Sequence, residues 1–450
     1  MFASFEAAEA LLRRHYGHGS FRAPQARVIQ SVLAGLDVLA VLPTGGGKSV
    51  CFQVPALASG GLCLVVSPLI SLMQDQVGGA RSRGIGAAAF HSALSSDEAA
   101  TALREAAAGR LTLLYTSPER LPRLGRELLA AGARIALLAV DEAHCISEWG
   151  HDFRTEFRAI GATREALGSP QTIALTGSAT PKVRDDIARV LGLGRGRAAG
   201  AAVHVASFDR RNLRFEACRV TTERERFRVL LGLLVRGETA IVYAPTRRST
   251  ETLALALRHA GHRAAPYHAG LDTGTRAEVL DDFLEDRLGV VVATSAFGMG
   301  IDKPGVRRVV HWSMPPTPES YYQEAGRAGR DGAHARCVLL VRRGDATLHR
   351  RQLDVTFPER RLLESLWSGR TDPARVPANV RESAERLRAE LRSDGGAPDW
   401  SRVVQRRRAA ERRIDTMWRY ASGRRCRRAA LLGYFGERLR ACAGCDRCRN

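Results

Sequence analysis

The sequence predicts an α/β protein of two parallel-sheet lobes in tandem, followed by a helical segment that ends in a four-cysteine metal site. Three observations predict it. Short apolar, β-branched runs alternate with helical stretches from about residue 38 to residue 341, the pattern of strands buried on both faces and connected by crossover helices. Strand-like runs disappear after residue 343 and helical periodicity takes over. Of nine cysteines, Cys426, Cys442, Cys445 and Cys448 crowd into the last 25 residues.

Taken in order, the first series of strands falls at 38–42, 62–66, 111–115, 135–140 and 172–175. A second series falls at 240–243, 264–268, 290–293, 309–312 and 338–341. Between them, 192–202 is rich in glycine and alanine without a period and reads as a linker. Residues 359–428 read as helices broken at 371–377 and 393–398. The expected domains are therefore 1–197, 203–344, a helical insert at 345–413 and a terminal module at 414–450.

A chain of 450 residues that is 45% apolar and 26% charged can bury a large core, which excludes a disordered or fibrous protein. Lysine and arginine number 68 against 47 acidic residues, a net charge of +21 that points to a polyanion, nucleic acid first, as partner. Lysine occurs only at 48, 182 and 303. Residues 401–450 hold 15 arginines against Glu411, Asp415, Glu437 and Asp446, a net of +11, so over half the excess charge lies in one ninth of the chain. That clustering predicts a surface for a phosphate backbone. No run of about 18 apolar residues offers a membrane span, and Glu6 and Glu9 stand where a signal peptide carries positive charge. A cytoplasmic location with reduced thiols, and no membrane partner, is expected.

Pro43-Thr44-Gly45-Gly46-Gly47-Lys48-Ser49 follows a predicted strand and should open a helix, where unpaired N–H groups favour phosphate. Thr44 and the three glycines let the backbone approach the anion, Lys48 can reach the β/γ-phosphates, and Ser49 can ligate Mg²⁺. Leucine stands at position 42, where the strict pattern asks for glycine. Some 90 residues on, Leu137-Leu138-Ala139-Val140-Asp141-Glu142-Ala143-His144 is an apolar strand ending in two acids. Asp141 would hold Mg²⁺ and Glu142 would orient the attacking water. ATP and Mg²⁺ are the cofactors this pairing requires.

With these blocks in place, the chain resembles the RecQ family of DNA helicases, in helicase superfamily 2. The resemblance is carried by Phe21-Arg22-Ala23-Pro24-Gln25, Ser67-Pro68-Leu69-Ile70-Ser71-Leu72-Met73, Thr116-Ser117-Pro118-Glu119-Arg120 and Asp141-Glu142-Ala143-His144. It continues through Ala296-Phe297-Gly298-Met299-Gly300-Ile301-Asp302-Lys303-Pro304 and Tyr321-Tyr322-Gln323-Glu324-Ala325-Gly326-Arg327-Ala328-Gly329-Arg330-Asp331-Gly332. It implies two RecA-like lobes and a zinc-binding subdomain, and an ATP- and Mg²⁺-dependent enzyme moving 3′ to 5′ on DNA in repair or recombination. It also carries the class term isomerase.

The resemblance implies that Arg22 and Gln25 recognise adenine, with His18 at the place where the family usually stacks a tyrosine on the base. It sets Gln323, Arg327 and Arg330 across a cleft from the γ-phosphate, the two arginines as fingers in cis; helical spacing places all three on one face. Thr176-Gly177-Ser178-Ala179-Thr180 takes the place of the motif linking ATP state to lobe closure, with Gly177 and Ser178 where relatives have alanine and threonine. The segment from His144 to Arg154 resembles the family's aromatic-rich loop. Trp149 and Phe153 would stack unpaired bases at about 1 to 3 kcal/mol each, with Arg154 reporting to the nucleotide site. Glu148 replaces a glutamine and Thr155 a proline, so Glu148 should point away from phosphate.

Cys426 with Cys442-x-x-Cys445-x-x-Cys448 suits a tetrahedral Zn²⁺, with an iron–sulfur cluster as the chemical rival. The chain stops two residues after Cys448, where many relatives continue into a winged helix. A translocase or annealing enzyme with weak strand separation is therefore the alternative to a helicase, and 345–413 is the candidate substitute wedge. A zinc DNA-binding protein with a relic ATPase, and an RNA helicase, fit fewer of the blocks.

Overall fold

Parallel strands bury both faces, and the apolar runs of this chain do so in two sheets. The computed structural model describes residues 4–43, 45–92, 94–150, 152–298, 303–392 and 399–448. The strands are β1 (Asp37–Val41), β2 (Leu62–Val66), β3 (Ala87–Phe90), β4 (Leu113–Thr116), β5 (Ile135–Val140), β6 (Gln171–Thr176) and β7 (Ala201–Val205). They form one parallel sheet in the order β3-β4-β2-β5-β6-β1-β7. A second series, β8 (Leu213–Arg219), β9 (Thr239–Tyr243), β10 (Ala264–Tyr267), β11 (Val290–Ala293), β12 (Val306–His311) and β13 (Ala335–Val341), forms another in the order β10-β11-β9-β12-β13-β8. The chain divides into two compact units: residues through Phe208 with Phe435–Glu437, and Asp209–Gly298 with Lys303–Tyr434 and the residues from Arg438.

In the first unit, β1 lies beside β6 while β5 lies between β6 and β2, so the carboxyl ends of β1 and β5 come to one edge of the sheet. One buried charge is fully satisfied here. Arg164, 2% exposed, donates to Asp37 Oδ2 at 2.7 Å and to the carbonyls of Pro170, Leu191, Gly192 and Arg195. Asp37 in turn accepts from the N–H groups of Thr172 and Gly194. A buried pair holds only with such complete hydrogen bonding, and this one joins the start of β1 to β6 and to the segment after Leu191. The expected linker at 192–202 is thus partly corrected: its end is edge strand β7, paired with β1. Its Ala201–Val205 sequence is only half covered, so it lacks the fully apolar run that marked the other strands.

The second unit adds a helical part with its own core, formed by Phe357, Leu363, Ala384, Leu387, Leu391 and Val403. Trp367 and Trp400 stack there at 5.4 Å, nearly parallel at 17°. The predicted break at 393–398 lies outside the described residues. Of the described arginines in the basic terminal segment, Arg408, Arg412, Arg419, Arg424, Arg425, Arg438, Arg440 and Arg447 are exposed. Arg427 and Arg428 are not surface groups. They are 1% and 0% exposed and pair with Asp446 and Asp209. Among the described residues, no helix is long and apolar enough to cross a membrane.

Candidate functional site

The phosphate loop follows β1 and opens the helix Val50–Ser59, whose first flanking residue is Ser49. Thr44 lies outside the described residues. Gly47 has φ +69°, which favours glycine, and a Cβ on it would displace the Gln25 amide that holds the loop. Gln25 donates to the carbonyls of Gly46 and Gly47, both at 3.2 Å, and accepts from the Arg22 N–H at 2.9 Å. Arg22 donates to the Gly45 carbonyl at 2.8 Å. Arg22 and Gln25 therefore clamp the loop itself, a contact that composition and spacing did not announce. His18 is exposed, just beyond the helix Phe5–Tyr16.

Lys48 and Glu142 meet directly, Nζ to Oε1 at 2.7 Å, with 19% and 13% of their side chains exposed. Glu142 sits in the left-handed region at φ +46°, a conformation that costs a non-glycine residue energy and marks functional turns. Its N–H donates to Asp141 Oδ1 at 2.9 Å. Burial opposes the charge of Glu142, but Lys48 and His144 outweigh it and hold this carboxylate well below its usual range. Asp141 moves the other way: burial raises it, Lys48 pulls it back, and the neighbouring Glu142 adds to the rise. A divalent cation beside Asp141 would reverse that balance, which suits a metal ligand.

His144 had no assigned role, and it connects two motifs. Its Nδ1 lies 3.2 Å from Glu142 Oε2 and 3.0 Å from Thr176 Oγ1. Thr176 in turn accepts from the Ser178 N–H at 3.3 Å. Burial disfavours the imidazolium, yet Cys145 and Glu142 lift His144 to about 10. One imidazole thus joins the Thr176–Thr180 segment to Glu142. Only the shared sheet edge of β5 and β6 could have signalled this.

The four terminal cysteines place their sulfurs within 4.8 Å of one another. A Zn–S bond of about 2.3 Å gives a tetrahedral edge of about 3.8 Å, so one ion fits this spacing. Cys426 accepts from the Ala429 N–H at 3.5 Å and Cys442 from the Gly444 N–H at 3.4 Å. Burial works against a Cys445 thiolate, but backbone N–H groups of Arg427, Arg447 and Cys448 bring it down to about 7. Cys426 and Cys448 move the other way, so it is the clustering of four sulfurs, not a uniform thiolate bias, that marks the metal site.

Residues 22–187 match the DEAD/DEAH box helicase family, 225–332 the helicase conserved C-terminal domain, and 384–449 the RecQ zinc-binding domain. The ATP-dependent DNA helicase RecQ of Pasteurella multocida is 36% identical over 446 residues, covering 98% of this chain and 62% of that protein. The probable ATP-dependent DNA helicase RecS of Bacillus subtilis is 41% identical over 343 residues, covering 75% of this chain and 67% of that protein. The chain belongs to the RecQ family of superfamily 2 helicases. It spans 62% of the length of the Pasteurella relative. The RecA-like fold is shared with Mycobacterium smegmatis helicase Lhr bound to ssDNA and AMP-PNP, at TM-score 0.57 and 20% identity over 93% of this chain and 57% of that one. The matched descriptions name helicases, and the isomerase expectation is withdrawn.

The RecQ-family loop after Glu142 is formed by two short 3₁₀ turns, Ala143–Ile146 and Thr155–Arg158. Trp149 is half-buried, with Lys182 Nζ 3.2 Å from its ring centre, and Phe153 is half-buried nearby in sequence. Glu148 pairs with Arg158, which neutralises the carboxylate that departs from the family pattern. Arg154 donates to the Pro68 carbonyl at 3.3 Å and to Asp152 at 3.2 Å, so it contacts the Ser67–Met73 motif rather than Lys48 or Glu142. Trp149→Ala should keep basal hydrolysis but lose most of its stimulation by single-stranded DNA, a stacking loss of about 1 to 3 kcal/mol. Equal stimulation in parent and variant, read from ATP turnover against DNA concentration, would exclude this role.

One placement differs from expectation. Gln323 lies in the helix Pro318–Ala325, but that helix ends at Gly326, and Arg327 and Arg330 stand on the turns beyond it. The three do not share a helical face. Past Ala325 the N–H groups of Arg327 and Ala328 reach back only three residues, to Glu324 and Ala325, and Gly329 then turns the chain: it has φ +55°, and its position leaves no room for a Cβ against Asn212 Nδ2 at 2.6 Å and the Ala333 carbonyl at 2.7 Å. Arg327 is 9% exposed. The motif residues 299–302 lie outside the described residues.

Proposed function

We propose that the protein is an ATP-dependent DNA helicase that moves 3′ to 5′ on single-stranded DNA and acts in DNA repair or recombination, in the cytoplasm. The 2.7 Å contact between Lys48 and Glu142 at the carboxyl edge of the first sheet carries this reading. A triphosphate competes with Glu142 for the Lys48 ammonium, and its capture frees the carboxylate to orient water. Ser49 and Asp141 are the residues that would hold Mg²⁺, which supplies charge neutralisation for the β- and γ-phosphate oxygens.

Arg327 and Arg330 then act as arginine fingers on the transferring phosphoryl group, with Gln323 beside them in the motif, a contribution of about 10³ to 10⁵ in rate. Arg22 and Gln25, with His18, take the adenine. Their bonds to Gly45, Gly46 and Gly47 make the loop's shape sensitive to base binding. Trp149, Phe153 and Arg154 take the DNA strand. Zn²⁺, held by Cys426, Cys442, Cys445 and Cys448, has a structural role.

The test is unwinding of a forked duplex with a 3′ single-stranded tail. ATP-dependent separation of the 3′-tailed fork, absent with a 5′ tail, is expected. DNA-stimulated hydrolysis without strand separation would identify a translocase or annealing enzyme instead.

A further inference from the structure

With the helix Pro318–Ala325 ended, side chains from an upstream strap hold the turn that carries Arg327 and Arg330. Arg210 donates through Nη1 to the Gly326 carbonyl at 3.2 Å, and through Nη2 to the carbonyls of Ala328 at 3.0 Å and Gly329 at 2.9 Å. Asn212 donates through Nδ2 to the Gly329 carbonyl at 2.8 Å and the Ala333 carbonyl at 2.9 Å. The carbonyls of Gly326 and Gly329 immediately precede the two arginines. The strap therefore fixes the peptide planes from which Arg327 and Arg330 depart.

The strap is itself gripped. Arg428, 0% exposed, donates through Nη1 to Asp209 Oδ1 at 2.5 Å and to the Arg210 carbonyl at 2.9 Å, and through Nη2 to the Leu213 carbonyl at 2.6 Å. It stands two residues after Cys426. A rigid guanidinium fork is suited to holding several carbonyls at fixed angles, which a flexible ammonium does not do.

We propose that Arg210 and Asn212 are positioning residues for phosphoryl transfer: they aim Arg327 and Arg330, and Arg428 ties that aim to the cysteine module. The proposal rests on the reading of Arg327 and Arg330 as fingers. Loss of the Arg210 fork removes the donor from the Gly326 and Ala328 carbonyls of a buried turn, while Gly329 keeps Asn212, and the freed carbonyls must rotate to find partners. Misplacement of a catalytic group by about 1 Å costs about 10²-fold in rate. Ground-state nucleotide binding rests on the phosphate loop and is unaffected.

The experiment compares full-length Arg210→Ala, Arg210→Lys, Asn212→Ala and, as benchmark, Arg327→Ala. It measures DNA-stimulated ATP turnover, affinity for ADP and for ADP–aluminium fluoride, which mimics the transferring phosphoryl group, zinc content and the thermal midpoint. Arg210→Ala should lose about 10²-fold in kcat with KM for ATP within about twofold. It should weaken ADP–aluminium fluoride by a similar factor, leave ADP affinity and zinc content unchanged, and lower the midpoint only slightly, with the fold retained. Asn212→Ala should show a smaller loss of the same kind, and Arg210→Lys should recover part of it.

Normal turnover in Arg210→Ala beside a crippled Arg327→Ala overturns the proposal. So does an equal loss of ADP and ADP–aluminium fluoride affinity, or a loss of zinc or of the fold in both Arg210→Ala and Asn212→Ala. Normal turnover in Arg327→Ala locates the failure in the finger reading, and the positioning role falls with it.

Discussion

Lys48→Ala is expected to lower DNA-stimulated ATP hydrolysis by about 10³-fold or more while leaving a folded protein that still carries its zinc. Lys48 is the cation that the loop after β1 brings to the acids after β5, its Nζ 2.7 Å from Glu142 Oε1. Removing one partner of a fully buried ion pair typically destabilises by about 3 to 5 kcal/mol. This pair is partly exposed, and Glu142 keeps His144 at 3.2 Å, so the penalty falls below that range. The cysteine site belongs to the other compact unit. ATP turnover with saturating single-stranded DNA, thermal unfolding and metal content measured on one preparation separate these effects. Turnover within about tenfold of the parent would remove Lys48 from the phosphate site, and with it the assigned motor.

How far the sequence announces this arrangement depends on whether the information is local. Strands β2, β5 and β11 begin and end where apolar β-branched runs begin and end, because parallel strands buried on both faces need no partner pattern to be visible. Strands β3 and β7 read Ala-Ala-Ala-Phe and Ala-Ala-Val-His-Val, and alanine carries little preference for a pleated surface, so sheet pairing alone defines them. The nucleotide loop and the four-cysteine set are legible because each is a short string with its chemistry in it.

The misread turn at Arg327 shows the opposite case. Spacing of three and four residues suggests a helix, but Gly326 and Gly329 weaken it, and carbonyls gripped by Arg210 and Asn212, more than 110 residues upstream, complete the break. His144 was hidden for the same reason: its partner Thr176 is 32 residues away, and no motif records a bond from one side chain to another across a sheet edge. Arg427 and Arg428 look like surface charge in the sequence. Their partners Asp446 and Asp209 make them the most deeply buried cations among the described residues of the terminal module.

Metal removal should have the largest effect on stability. A chelator, or Cys445→Ala, is expected to unravel the module from Cys426 to Cys448, since structural zinc contributes about 10 to 16 kcal/mol in small thiolate modules. Beyond the helix Arg427–Tyr434 its regular structure is two isolated bridges, Phe215 to Cys445 and Cys445 to Cys448. The loss then spreads through charge. Asp446 lies between two of the ligands and accepts both Nε and Nη2 of Arg427 at 2.9 and 3.2 Å, so displacing the cysteine loop leaves a cation that is 1% exposed without its carboxylate. Arg427 also donates to the Tyr420 carbonyl, and its guanidinium lies 5.6 Å from the Tyr420 ring, while Tyr420 packs on Tyr321 at 5.2 Å. Unpairing one such buried arginine adds about 3 to 5 kcal/mol. Metal analysis should therefore find one zinc per chain, and chelation should lower the unfolding midpoint of the second unit well before that of the first. A natively purified chain without zinc, or one whose unfolding ignores a chelator, would rule out the four-thiolate site as the module's anchor.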